Sequence, residues 1–143
     1  MAKKIRLDVV TPEKVAFSKE VNMVIARTTA GDVGILPGHA PLVGTLGIWP
    51  LRIMEEEGET QLSLMGGFIE VQPDKITILG GTVELVEEID VARAEAAKER
   101  AQRRLKGDVV AADTVTDELR AEIALKRAIV RLKVYEFYQQ RRR

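Results

Sequence analysis

The positions of glycine and proline restrict the fold of this chain more than any other feature. Ten of the 11 glycines and all five prolines lie at or before Gly81, and none follows Gly107. These residues favour turns and interrupt helices. The first part of the chain is therefore predicted to consist of strands joined by tight turns, and the last part to consist of helices.

The N-terminal part shows strand periodicity. The segment Ile5-Arg6-Leu7-Asp8-Val9 alternates apolar and charged residues, as expected of a half-buried strand. A hairpin is indicated wherever two such runs flank a short turn. The predicted strands are 5–9, 15–17, 21–29, one short strand within 31–43, 49–56 paired with 60–65, and 68–72 paired with 75–79. Many short strands at this spacing favour a β-sandwich.

The periodicity changes at Glu87. Asp90 is placed to cap a helix that runs to about Lys106, and Gly107 suits the left-handed position just after it. After a linker at 108–113, a second helix is predicted to continue to about Gln140. The predicted fold is α+β, with an N-terminal β-sandwich at residues 1–86 and a C-terminal antiparallel two-helix hairpin at residues 87–143.

The facing stripes of this hairpin carry mostly small side chains. The first helix presents Ala94, Ala97, Ala101 and Leu105, and the second presents Ala121, Leu125, Ala128, Leu132 and Tyr135. Such a seam buries little apolar area, and burial contributes only about 25 cal/mol per Å². The second helix has another apolar edge, formed by Leu119, Ile123, Val130, Val134 and Phe137. This additional edge gives the helix more apolar surface than one partner can cover. It indicates a helix that docks on different partners in turn, unless the sandwich or another subunit covers the edge permanently.

Composition excludes several classes of function. The chain has no cysteine, so disulfides, thiolate metal sites and cysteine nucleophiles are excluded. No metal cluster stands at recognised spacing, and no apolar run is long enough to span a bilayer. Lys+Arg and Asp+Glu both number 22, yet residues 119–143 hold 8 basic and 2 acidic residues. A basic end on a neutral chain predicts an acidic partner or an anionic ligand.

Arginines in both predicted helices form a candidate anion site. Asp90 and Arg93 lie near one face of the first turn, and Arg100 follows on that face two turns later. Arg127 and Arg131 are one turn apart on the second helix. In an antiparallel hairpin the two pairs could converge on a polyphosphate, with help from the N–H groups at the helix start. The alternative is that Asp90 is only a cap and the arginines solvate an exposed face.

Three ordered motifs carry a family resemblance over essentially the whole chain. They are Gly31-Asp32-Val33-Gly34-Ile35-Leu36-Pro37-Gly38-His39-Ala40-Pro41-Leu42, Gly66-Gly67-Phe68-Ile69-Glu70-Val71 followed by Pro73-Asp74-Lys75, and Ile89-Asp90-Val91-Ala92-Arg93-Ala94. Together they resemble the epsilon subunits of bacterial F-type ATP synthases.

The resemblance implies a non-catalytic rotor subunit on the cytoplasmic face of the cell membrane, peripheral to it. The sandwich would bind the gamma subunit and the c-subunit ring, with Gly38, His39 and Pro41 in the interface loop. The hairpin would be compact on the sandwich, or extended into the alpha and beta subunits, where it obstructs hydrolysis. The alternative is a purely structural coupling subunit with a fixed tail. A nucleic-acid-binding module is disfavoured because aromatic stacking platforms are lacking.

The resemblance also implies that ATP is a regulatory ligand of the compact state, without a metal required by the motif. The positions matching the family's nucleotide contacts, together with the motif residue Ile89 and the neighbouring Arg100, are Glu84, Ile89, Asp90, Arg93, Ala94, Arg100, Arg127 and Arg131. A basic face on the second helix would meet acidic segments of the beta subunits when extended, unless it is merely solvated. Its residues are Arg120, Lys126, Arg127, Arg131 and Lys133.

Overall fold

The computed structural model describes residues 3–107 and 114–142, so the predicted linker at 108–113 lies outside the described residues. Strands come first and two helices follow, as predicted. The strands are β1 (Ile5–Val10), β2 (Val15–Val21), β3 (Met23–Thr28), β4 (Gly31–Ile35), β5 (Leu42–Glu55), β6 (Gly58–Val71), β7 (Lys75–Gly80) and β8 (Val83–Glu84). The helices are a 3₁₀ helix (Val86–Glu88), α1 (Val91–Leu105) and α2 (Thr114–Arg141).

The strands form one hydrogen-bonded path that folds over itself. Its order is β2-β1-β7-β6-β5-β3-β4, and β8 pairs with β6 outside this path. Only the β1–β7 pairing is parallel among the described strand pairs. Alternate residues from both ends of the path, such as Leu7 on β1 and Val24 on β3, lie in a single buried cluster. Two layers therefore enclose one core, which confirms the β-sandwich.

The two longest strands differ from the prediction. Strands β5 and β6 each contain 14 residues, whereas the separate strands expected at 60–65 and 68–72 are one continuous strand. Gly66 and Gly67 join them, with φ of 77° and 142°. These angles are accessible to glycine and let the strand bend without ending. The glycine pair is a bend within β6, and the expectation of a break there was wrong.

The helix boundaries agree with the predicted caps. The Asp90 carboxylate accepts a hydrogen bond from the Arg93 backbone N–H at 3.1 Å, and α1 begins at Val91. Gly107 follows α1 with φ of 80°, in the left-handed region. The 3₁₀ helix at Val86–Glu88 spans the predicted domain boundary between residues 86 and 87, and that division stays a prediction.

The seam between α1 and α2 is made of small side chains, as expected. Ala94 and Ala101 on α1 are buried, and so are Ala121 and Ala128 on α2. Small residues let the two helix backbones approach closely, but each contributes little apolar area. The hairpin by itself is therefore held by a modest interface.

The second apolar edge of α2 is covered over part of its length and exposed over the rest. Val130 and Val134 are fully buried, because this half of α2 packs on strands β5 and β6. Leu119, one end of the same edge, is 57% exposed. The sandwich thus covers the edge at Val130 and Val134, which agrees there with the alternative that the sequence left open. Near the start of α2 the edge remains open.

We predict that Gly67→Ala destabilises the sandwich, whereas Gly47→Ala does not. A Cβ at Gly67 would lie 2.2 Å from the Leu79 carbonyl oxygen, at a φ of 142°. A Cβ at Gly47 would meet its nearest neighbour at 4.0 Å. Strain of this kind costs about 1–3 kcal/mol, so the free energy of unfolding in urea should fall by at least that amount for Gly67→Ala. Equal unfolding midpoints for the two variants would contradict the close approach of β6 and β7.

Candidate functional site

A cavity of about 420 Å³ lies where both helices meet the end of the sandwich. It gathers residues from β8, the 3₁₀ helix, α1 and α2. The residues that line it are Glu84, Glu88, Asp90, Arg93, Ala94, Ala97, Arg100, Ala124, Arg127 and Arg131. Seven of the eight residues predicted from the sequence border this space. The eighth, Ile89, is 9% exposed and packs beside the cavity without lining it.

One arginine of the cavity is already paired with the sandwich. Arg131 donates to both carboxylate oxygens of Glu84, from Nε to Oε1 at 2.7 Å and from Nη2 to Oε2 at 3.3 Å. The fully buried Ser63 donates to the same Oε1 at 3.4 Å, because β8 pairs with β6 and places Glu84 opposite Ser63. This chain of contacts fixes the position of the Arg131 guanidinium.

The other three arginines carry charge toward the cavity without an ion pair. Arg93, Arg100 and Arg127 form no salt bridge within the described ranges 3–107 and 114–142. Each guanidinium presents a planar set of N–H donors suited to phosphate. The cavity therefore has a surplus of positive charge on the arginine side.

Carboxylates line another part of the same cavity, near the start of α1. The Asp90 side chain accepts the Arg93 N–H, and the Asp90 carbonyl accepts the Ala94 N–H at 3.0 Å. The N–H groups of Val91 and Ala92, in the first turn of α1, have no acceptor among the residues that the structure describes. A ligand with both anionic groups and hydrogen-bond donors matches this combination.

Sequence reasoning missed Glu88, Ala97 and Ala124 as lining residues. Ala97 was on the small-residue stripe of the first helix, which was the available signal. Glu88 accepts from the Leu85 N–H at 3.0 Å and from Lys14 Nζ at 2.9 Å. These two contacts lower the pKa of Glu88 below its ordinary value of 4.5, and the hydrogen bond from the Leu85 N–H has the larger effect. Its position depends on the 3₁₀ helix and on a lysine far away in the chain, so the sequence alone gave no local signal.

The basic residues predicted for the second helix do not share one face. Successive helical residues turn by about 100°, so Arg120, Arg127 and Arg131 align, while Lys126 and Lys133 lie on a separate stripe. The ammonium group of Lys133 lies 5.0 Å from the centroid of the Trp49 ring. The expected basic face is therefore two stripes, one along the cavity and one that reaches the sandwich.

The predicted interface loop joins β4 to β5. Gly38 has a φ of 84°, and its N–H donates to the Pro73 carbonyl at 2.8 Å. His39 Nδ1 lies 2.7 Å from the Ala40 carbonyl oxygen, which holds the imidazole against its own loop. Pro41 is exposed, and the neighbouring Leu36 is also exposed. The loop is thus a backbone-anchored turn with accessible apolar groups.

A row of exposed apolar side chains crosses the outer face of the sandwich. Phe68 on β6 is opposite Leu79 on β7, which is opposite Val10 on β1; Val10 in turn is opposite Val15 on β2. Phe68, Leu79 and Val15 are 59%, 54% and 61% exposed. Large contiguous apolar surface on a folded domain usually marks a protein contact. This outer apolar row is a second candidate functional surface.

Comparisons with known proteins agree with both halves of the fold. The family model for the ATP synthase delta/epsilon chain beta-sandwich domain matches residues 4–86, and that for the long alpha-helix domain matches residues 87–136. The chain belongs to the ATP synthase delta/epsilon family. It is accordingly a non-catalytic subunit of an ATP synthase.

Relatives within this family match over nearly the whole chain. The ATP synthase epsilon chain of Desulforamulus reducens is 47% identical over 138 residues, which is 95% of this chain and 100% of the relative. That of Exiguobacterium sp. is 46% identical, covering 91% and 94%. Among solved structures, a chain of the Euglena gracilis mitochondrial ATP synthase (OSCP, F1 and c-ring) aligns with a TM-score of 0.74 and 26% identity, over 86% of this chain and 76% of that one.

Two further observations describe this delta/epsilon family member. None of the helices in the described residues combines the length and apolar character needed to cross a bilayer. Within residues 3–107 and 114–142, no three His, Cys, Asp or Glu side chains are grouped as potential metal ligands.

We predict that Glu88→Gln lowers the thermal stability of the chain at neutral pH. The pKa of Glu88 in the folded chain lies below 4.5. The ionised carboxylate therefore adds to the free energy of unfolding above pH 4.5, and this contribution is lost as the pH falls through the folded pKa. The Tm difference between wild type and variant should therefore shrink toward pH 3. Glu87→Gln is the matched control on the adjacent exposed acid. A difference that persists unchanged at pH 3 would refute the role of the ionised carboxylate.

Proposed function

We propose that the chain is the epsilon subunit of the central stalk of an F-type ATP synthase, where it couples rotation to catalysis. Its helical hairpin restrains ATP hydrolysis when it leaves the sandwich, and ATP bound in the cavity favours the docked state. The observation that carries this proposal is the cavity itself. Its walls come from α1, α2 and the sandwich, so a ligand inside it joins all three.

The outer surfaces of the sandwich support a position between stalk and membrane ring. The outer apolar row suits a permanent contact with the gamma subunit, because an obligate partner covers apolar surface. The loop with Gly38, His39 and Pro41 suits a contact with the c-subunit ring. In this arrangement the chain is peripheral to the membrane, on its cytoplasmic face, and is attached through the complex.

The charge distribution of the cavity supports ATP as its ligand. Arg93, Arg100 and Arg127 supply donors for the phosphates, while Asp90 and Glu84 supply acceptors for the donor groups of ribose or base. A ligand bound only by the docked state stabilises that state by RT ln(1 + [L]/Kd), roughly 2.7 kcal/mol at a hundredfold excess over Kd. Because the seam between α1 and α2 is made of small residues, a contribution of this size is enough to shift the equilibrium between the docked and undocked states.

The extended state has its own support on α2. Leu119 is exposed while the hairpin is docked, which leaves an apolar group available to another subunit. Arg120, Lys126 and Arg127 are exposed as well. Together with Arg131 and Lys133, once these are released from Glu84 and Trp49, they would face acidic segments of the alpha and beta subunits. Such pairs orient a docking helix more than they tighten it.

A second candidate function is structural coupling with a fixed tail. Full burial of Val130 and Val134 against the sandwich favours it, since separating them exposes apolar area to water. In that case the cavity and its arginines stabilise the hairpin, and hydrolysis does not depend on the tail.

We predict that Arg93→Ala weakens ATP binding by the isolated full-length chain at least tenfold. Charge-assisted hydrogen bonds to phosphate are roughly twice as strong as neutral ones, and Arg93 lines the cavity. Isothermal titration with ATP measures the effect. Arg104→Ala is the matched control, because Arg104 is on the same helix but does not line the cavity. If Arg93→Ala and Arg104→Ala bind ATP with equal affinity, the nucleotide does not bind in this cavity.

We predict that deletion of residues 87–143 raises ATP hydrolysis by the assembled synthase. The hairpin can no longer enter the catalytic head, so the obstruction disappears. Hydrolysis is measured on matched preparations that hold the full-length or the truncated subunit in equal amounts, verified by subunit content. Unchanged hydrolysis would favour the fixed structural tail over the inhibitory hairpin.

A further inference from the structure

Part of the edge of strand β6 has no strand partner. One side of β6 pairs with β5 along its whole length. On the other side, β7 covers Gly67–Val71 and β8 covers Ser63 and Leu64. Among the described strands, none pairs with residues 58–62 on that side. Unpaired N–H and C=O groups at such an edge seek other partners.

The last turns of α2 provide those partners. The Gln61 backbone N–H donates to the Tyr138 hydroxyl at 2.8 Å, and the same hydroxyl donates to the Gln61 carbonyl at 3.3 Å. Arg141 donates to the Glu59 carbonyl two residues along the strand. Alternate residues of a strand direct their backbone groups to the same side. Tyr138 and Arg141 therefore continue the edge that β8 begins at Ser63.

A tyrosine hydroxyl is chemically suited to this position. It both donates and accepts a hydrogen bond, so one atom satisfies the N–H and the C=O of Gln61 as a neighbouring strand would. The Tyr138 ring packs edge-on against Phe137, with 5.0 Å between ring centroids. The arginine at position 141 also lies 5.4 Å from the Phe137 ring centroid. The contact is thus a local cluster with defined geometry.

This cluster is separate from the nucleotide cavity. Tyr138 follows Arg131 by seven residues, which is about 10 Å along a helix, and neither Tyr138 nor Arg141 lines the cavity. A ligand bound in the cavity between α1 and α2 would therefore not contact this cluster directly. Besides the Glu84–Arg131 pair and the burial of Val130 and Val134, the last turns of α2 thus attach the helix to the sandwich outside the cavity.

We propose that Tyr138 and Arg141 form a ligand-independent anchor that completes the open edge of β6 and holds α2 on the sandwich when the cavity is empty. The regulatory consequence rests on the proposed function, because it matters only if the hairpin detaches. Without the anchor, the docked state keeps the contacts of Val130, Val134 and Arg131 but depends more strongly on ATP. With it, an empty subunit remains mostly docked.

The contact itself is tested by hydrogen exchange of the Gln61 amide in the full-length chain, followed by NMR. Tyr138→Phe removes only the hydroxyl, and exchange of Gln61 should accelerate about five- to tenfold, the effect of one lost hydrogen bond. Tyr135→Phe is the matched control, since no hydrogen bond of its hydroxyl is present in the described structure. The Ile69 amide, within the β6–β7 ladder, should be unchanged in both variants. Unaltered Gln61 exchange in Tyr138→Phe overturns the proposal.

The anchoring role is tested by a distance measurement in the same chain. Because the protein has no cysteine, Glu70→Cys and Glu122→Cys give one spin label on the sandwich and one on α2. Without ATP, Tyr138→Phe should increase the undocked population about fivefold over the Tyr135→Phe control, and ATP should reverse the change. Faster Gln61 exchange with an unchanged docked population would overturn the anchoring role.

These results separate the anchor from the proposed function. Hydrogen exchange reports the anchor whether or not the hairpin inhibits the synthase. If exchange and distances change as expected while truncation leaves hydrolysis unchanged, the anchor stands and the inhibitory function fails.

Discussion

The docking of α2 on the sandwich is the interaction on which the rest of the structure depends. The helix buries Ala121 and Ala128 toward α1 and Val130 and Val134 toward β5 and β6. The first contact is made of small residues and the second of β-branched ones, so each of these residues buried on the sandwich side contributes more apolar area. Without this docking the cavity loses a wall, because Arg127 and Arg131 are contributed by α2.

The Glu84–Arg131 pair connects the ligand site to that docking. It joins the sandwich to α2 through two hydrogen bonds inside the cavity. The Arg131 guanidinium is already neutralised by a carboxylate, whereas Arg93, Arg100 and Arg127 form no ion pair with any residue that the structure describes. The net attraction for an anion therefore comes from these three, while Arg131 mainly holds the helix in position. Removing Glu84 would free a charge for the ligand and weaken the docked helix together.

The two 14-residue strands support the surface on which α2 docks, and β6 also reaches the outer face of the sandwich. Phe68 on β6 belongs to the outer apolar row, whereas the parts of β5 and β6 near Trp49 and Gln61 face α2. The bend at Gly66 and Gly67 separates these parts within one strand. In the proposed function, the permanent contact of the outer face and the reversible contact of α2 would thus share one strand as their support.

Local sequence determined the kinds of elements and where the helix α1 begins and ends. Glycine and proline placement, strand alternation and the caps at Asp90 and Gly107 act over a few residues, so their effects were readable without coordinates. The spacing of Asp90 and the arginines also predicted half of the residues that line the cavity, and the family resemblance added Glu84 and Ala94. The tertiary structure alone decided that β6 continues through its glycine pair, that Val130 and Val134 are covered, and that Arg131 meets Glu84. Each of these outcomes depends on a partner distant in the chain, and no local periodicity specifies which partner that is.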